Sequence, residues 1–218
     1  MTKTTDIREA VEAELIFDPL VDAAGISVKN INGDVALNGT VPSYPQYLEA
    51  AAAAQRVFGV KQVHNHLAVE LPPGDYRDDV QLATAANNAL TWAVTVPAGI
   101  EATARNGNVT LTGTVRYAAQ RSAAELAVGG LIGVRNVKDQ IDIDFYAADP
   151  DGVTALVQGA LDRNALILDD SDVLVETTGS TVSLTGHVRT WAEHDAAIDA
   201  AWMASGVYDV IDNLVVTG

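Results

Sequence analysis

The side chains best equipped for chemistry are four histidines, His64, His66, His187 and His194. His64 and His66 stand two residues apart, which on a strand points both imidazoles to one face, where they could ligate a metal ion. No third ligand accompanies them, so two solvated histidines is the reading preferred and no metal is assigned. The run Asp169-Asp170-Ser171-Asp172 has the charge of a calcium loop. It lacks the glycine and the distal glutamate of an EF-hand, and a solvated loop is expected there. Trp202 and Met203 place two large apolar groups beside a stripe of small residues, at a position outside the expected core. They are a candidate contact surface, although packing against a neighbouring repeat is the reading preferred. Trp92 and Trp191 read as core or rim aromatics. No Ser-His-Asp order, glycine-rich phosphate loop or His-Glu-x-x-His sequence occurs. No catalytic residue and no cofactor is therefore expected, and the chain reads as non-enzymatic.

Composition narrows the partners. Thirteen Lys and Arg against 29 Asp and Glu give a net charge of −16. A field of that sign repels nucleic acid and anionic headgroups at long range, although a local basic patch is still allowed. Nucleic acid is accordingly excluded as a partner. A hydrophobic fraction of 48% with 19% charged residues belongs to a folded chain. Absence of cysteine removes disulfides, thiolate-bound zinc and thiol chemistry. No stretch approaches the roughly 18 apolar residues of a membrane span. The N-terminus has no apolar signal region, so the sequence as it stands reads as cytoplasmic, and as periplasmic if a leader has been removed.

What must position these residues is a repeat. Three segments share one pattern: Asn32-Gly33-Asp-Val-Ala-Leu-Asn-Gly39-Thr-Val41, Asn106-Gly107-Asn-Val-Thr-Leu-Thr-Gly113-Thr-Val115 and Gly179-Ser-Thr-Val-Ser-Leu-Thr-Gly186-His-Val188. A second glycine follows at the same distance in each, at Gly59, Gly133 and Gly206, with valine directly after it. A fixed period of this kind marks tandem copies of one unit. We place them at 1–72, 73–147 and 148–218, joined by Pro-, Gly- and acid-rich links.

Each copy opens on a helical pattern: Ile7, Ala10, Val11 and Leu15, then more weakly Leu82, Ala85, Ala86, Ala89 and Leu90, then Val153, Leu156, Val157, Ala160 and Leu161. A strand, a tight turn and a second alternating strand follow. Asn32-Gly33 and Asn106-Gly107 are hairpin turns by composition. Gly179-Ser180-Thr181 is read as one residue longer, with a different turn. Gly39, Gly113 and Gly186 fall on the inward row, where a missing side chain should let a helix approach. That helix carries a narrow stripe at Ala50, Ala53, Ala54 and Val57, at Ala124, Ala127, Val128 and Leu131, and at Ala197, Ala200, Ala201 and Ala204. Ser43 with Gln46, and Thr190 with Glu193, have the spacing of a capping box. Gly59, Gly133 and Gly206 are expected as left-handed C-caps. A third strand closes the copy. The fold class is α+β: three tandem α-β-β-α-β units, each a small mixed three-stranded sheet with two helices on one face.

The pattern Asn-Gly-x-Val-x-Leu-x-Gly-x-Val, a helix, then Gly59-Val-x-x-Val63-x-Asn65-x-Leu67 resembles the BON domain (bacterial OsmY and nodulation). The later copies carry acid at the Asn65 position, as Asp139 and Asp212. The resemblance implies a stress-associated binding module that contacts phospholipid or membrane surfaces. One cytoplasmic relative binds potassium, and the exposed sheet edges with the Trp202 surface allow a protein-interaction or self-assembly module instead. Phospholipid contact is the first expectation; self-assembly or protein binding, and K⁺ sensing, are the alternatives, with the oligomeric state open. Residues 148–218 hold 12 acids against two bases, and residues 73–147 hold eight against six. The third copy should therefore be the poorest binder of a membrane.

Overall fold

A computed structural model describes residues 3–143, 150–167, 172–204 and 206–217. The first copy runs α1 (Lys3–Phe17), β1 (Ile26–Ile31), β2 (Asp34–Val41), α2 (Tyr44–Gln55) and β3 (Gln62–Val69). The second repeats the order as α3 (Asp79–Trp92), β4 (Glu101–Arg105), β5 (Asn108–Val115), α4 (Ala118–Gly129) and β6 (Asn136–Ile143). The third is α5 (Pro150–Asp162), β7 (Val173–Thr178), β8 (Thr181–Val188), α6 (Trp191–Met203) and β9 (Asp209–Val216). Each copy has its own mixed three-stranded sheet, in the orders β1-β2-β3, β4-β5-β6 and β7-β8-β9. The middle strand pairs antiparallel with its predecessor and parallel with its successor in the first and third copies. By backbone contacts the chain divides into two compact units: Met1–Thr112 with Ala124–Gln140, and Gly113–Ala123 with Ile141–Gly218.

Alternation decides what is buried. On β2, Val35, Leu37 and Val41 turn inward and are buried, whereas Asp34, Ala36 and Asn38 are not. They pack with Val11 and Leu15 of α1 and with Ala50, Ala53 and Ala54 of α2, the small stripe that lets this helix lie close to the sheet. The third copy builds the same core from Val153, Val157, Leu161, Val182, Leu184, Ala197 and Ala201.

The glycines act differently from the sequence expectation. All three hairpins have two-residue loops, since Ile31 pairs with Asp34, Arg105 with Asn108 and Thr178 with Thr181. The third is thus no longer than the others. Its distinction is turn type: Asn32 and Gly33 are both at positive φ (57° and 100°), whereas in the third loop only Gly179 is, at 62°. The first is the signature of type I′ and the second of type II′.

Gly39 and Gly186 make room for a strand entrance rather than a helix. A Cβ there would come 2.0 Å from the Gly25 carbonyl oxygen and 1.6 Å from that of Asp172, and φ is 124° and 141°. Gly59 and Gly206 lie past the helix ends, whose C-caps are Arg56 and Ala204. They instead sit third in turns closed by Val60 N–H to Val57 O and Val207 N–H to Ala204 O, with φ of 90° in both. That is the place of glycine in a type II turn. Gly133, φ 103°, does the same beneath Val134 N–H to Leu131 O.

Candidate functional site

The motif glycines lead to one junction. Immediately after each type II turn, the chain donates a hydrogen bond to the hairpin loop: Lys61 N–H to Gly33 O at 2.9 Å, Arg135 to Gly107 at 2.8 Å and Tyr208 to Ser180 at 2.8 Å. Backbone hydrogen bonds thus tie the hairpin to the start of the third strand in every copy.

The helix starts are tied down by side chains. Ser43 accepts from Gln46 N–H and Thr190 from Glu193 N–H, as a capping box requires. The return contact goes elsewhere. Gln46 accepts from Asp22 N–H at 2.7 Å, and Glu193 from Arg189 N–H at 2.8 Å. In the second copy, where no serine or threonine announces it, Gln120 accepts from Arg116 and Tyr117 N–H.

His64 and His66 lie on the outer row of β3, exposed, with rings parallel to within 6° and centroids 6.3 Å apart. Among the described residues no group of three or more His, Cys, Asp or Glu is placed to hold a metal ion. Residues 169–171 of the acidic run lie outside the described residues.

Trp202 is half-buried against the third core, and the Arg121 guanidinium lies 5.0 Å from its ring centre. Met203, the next residue, is 73% exposed. The repeat offsets put Trp202 at the place of Gly129 in the second copy, and Gly129 has its own neighbour: the Tyr44 ring would lie 3.4 Å from a Cβ there. Tyr44 also accepts a hydrogen bond from the Val137 N–H, while burial pushes its phenol pKa up, with Glu125 adding to the rise. Thus the first turn of α2 meets the last turn of α4, and the first half of α4 meets the last turn of α6. A large residue faces a small one in the first case. In the second the large residue, Trp202, has moved to the other partner, and Ala118 stands where Tyr44 did.

Trp191 packs on the third core as expected, edge-on to His194 at 4.8 Å. Trp92 does not: it ends α3 and is 84% exposed. It falls off the Leu82-Ala86-Leu90 stripe, a signal readable from spacing. It belongs to a feature not read from the sequence. At the end of the first helix of every copy or just beyond it, large apolar groups project into solvent: Phe17 (81% exposed) and Leu20, Trp92 and Val94 (101%), and Leu166. None of the described helices is long and apolar enough to cross a membrane.

The BON domain family model matches residues 3–70, 78–144 and 149–218, nearly the whole chain and in the three copies just described. The chain belongs to the BON domain family. No curated protein sequence matches it. Among solved structures, two of CdsD, a structural protein of the type III secretion system of Chlamydia trachomatis, align over its length. The CdsD C-terminal domain is 17% identical, with 98% of each chain covered and a TM-score of 0.27; the second is 16% identical, with 97% and 92% covered and the same score. Superposition that loose says nothing about partners. Within the BON motif, the closing Asn65 has a definite job: its amide donates to Tyr47 O at 2.7 Å and its oxygen accepts from Leu67 N–H. The third BON copy replaces this pair by Asp212 and His194, 2.9 Å apart.

Proposed function

We propose that this BON-domain chain is a non-enzymatic, stress-associated binding protein that docks on phospholipid surfaces through the apolar ends of its first helices. The carrying observation is the recurrence of exposed Phe17 and Leu20, Trp92 and Val94, and Leu166 at one place in each copy. Aromatic and aliphatic groups held at an element's end insert shallowly at a lipid interface, each supplying part of the roughly 1.5–3 kcal/mol that full burial of such a side chain provides. The family's association with stress proteins and lipid binding supports the same reading.

The charge of −16 opposes anionic membranes. Zwitterionic vesicles should therefore be preferred at low salt, and added salt should narrow the difference. The third copy, with one such apolar group and most of the excess acid, contributes least. Vesicle flotation tests the proposal. The wild-type chain should float with phosphatidylcholine vesicles. Phe17→Ser with Trp92→Ser should lose roughly tenfold or more in binding while melting like wild type, since both residues are exposed. Equal flotation of the two proteins, or none by wild type, ends this reading.

A further inference from the structure

Among the described residues of this acidic chain, Arg135 is an arginine without an acid partner. Arg8, Arg56 and Arg189 all pair with carboxylates. Arg135 makes no ion pair among the described residues, and its Nε is buried with no hydrogen-bond partner. Its side chain passes beneath the second hairpin, where a Cβ on Gly107 would lie 2.8 Å from its Cγ and Cδ. The guanidinium then comes to rest 5.8 Å from the Tyr76 ring centre. Arg77 approaches from the other side, passing over Gly133, where a Cβ would lie 3.0 Å from its own Cβ and Cγ. Arg77 Nη1 is anchored on the carbonyl oxygens of Tyr76 and Gly74 at 2.8 and 3.1 Å. Both arginines line a cleft of about 390 Å³ in the first compact unit, with Tyr76, Asn106, Asp78 and Asp79.

The two carboxylates are committed to backbone. Asp78 caps α3 through Gln81 N–H, and Asp79 accepts from Asn106 and Gly107 N–H at 2.8 and 3.1 Å. Neither neutralises Arg135, although their charge sets an upper bound on affinity. The guanidinium pair belongs to the second copy, and the third has no base at either place. Lys3 and Lys61 stand at the corresponding places in the first copy, and Pro150 and Tyr208 in the third.

We propose that the cleft between Arg77 and Arg135 is a binding site for a phosphate-type oxyanion, held by the planar donor fork of Arg135 and the second positive charge of Arg77. A guanidinium can present its two outer nitrogens to two oxygens of one tetrahedral anion, and that charge would offset the cost of holding the unpaired Arg135 cation against the fold. Soluble phosphate and a lipid headgroup present the same chemistry. The site does not depend on the lipid reading, because the first measurement contains no lipid.

Inorganic phosphate is titrated into the full chain and followed by amide resonances, with chloride at matched ionic strength as control. Shifts are expected at residues 76–79, 106–107 and 133–135. Arg135→Gln should weaken binding roughly tenfold or more, and Arg135→Lys by less, since it keeps the charge and loses the fork. Unchanged melting of Arg135→Gln shows that the loss is local. If phosphate moves none of these resonances beyond chloride, or if Arg135→Gln titrates like wild type, the proposal is overturned. Flotation with vesicles bearing phosphatidic acid then separates the sources. Dependence on Arg135 assigns the headgroup as ligand, and independence, with free phosphate still bound, assigns a soluble phosphate.

Discussion

His194 and Asp212 show how one side-chain pair adapts a repeated position. In the first copy an amide, Asn65, reaches a backbone carbonyl; in the third a carboxylate, Asp212, needs a donor, and His194 at the place of Tyr47 supplies it. Asp195 accepts from the other ring nitrogen at 3.0 Å. Hydrogen bonding to Asp195, then the charge and hydrogen bond of Asp212, raise the imidazole pKa above its ordinary 6.5 against the opposing effect of burial. A group whose folded pKa is raised stabilises fully below its unfolded value and loses that contribution as pH climbs through the folded value. Melting temperatures of wild type and His194→Gln should therefore differ most below pH 6.5 and converge above the raised value. A gap that stays constant into the alkaline range refutes the pairing. In the first copy the corresponding stake is Arg56, which joins Glu14, Glu49 and the buried Asp18. The Leu20 N–H, more than the arginine, holds the Asp18 carboxyl below its usual range.

At the scale of elements, the strand glycines are the sharpest constraint. A side chain at Gly186 would strike the Asp172 carbonyl in a backbone conformation that L residues rarely adopt. Gly186→Ala should cost about 2 kcal/mol or more, whereas Gly74→Ala, with nothing within 4 Å of its Cβ, should be close to neutral. Chemical denaturation reads both, and a neutral Gly186→Ala would remove the strand-entrance explanation. The spacing of these glycines was legible in the sequence; the reason for it was not. Alternation identifies an inward position, but only the path of the chain before β1 and β7 places a carbonyl there. The same limit applies to Gly59 and Gly206, where the sequence locates a glycine after a helix without saying how many residues separate it from the last helical turn.

On the scale of the whole chain, separate cores in the first and third copies make stability local. Trp202→Ala should cost the third copy about 2 kcal/mol through lost packing, and Arg121→Ala about 1 kcal/mol, the usual size of a cation–ring contact short of full desolvation. Calorimetry of Trp202→Ala should lower one transition and leave another in place. A single transition that shifts as one would mean the copies unfold together. The apolar loop ends belong to this scale as well, since exposure of Trp92 and Val94 is set by what the rest of the molecule does not cover.

By itself the sequence determined the repeat, the family and the order of elements, because glycine spacing, period-two alternation and a stripe of alanines are local constraints that every copy must obey. Tertiary structure decided which of the residues outside those constraints meet. Tyr44 with Gly129 and Arg121 with Trp202 are separated by some 80 positions, and neither the ring-on-glycine fit of the first nor the cation-on-ring contact of the second has a signature along the chain. Isolation of Arg135 is likewise invisible in a sequence with 29 acids, since charge counts do not say which carboxylates are already spent on backbone N–H groups.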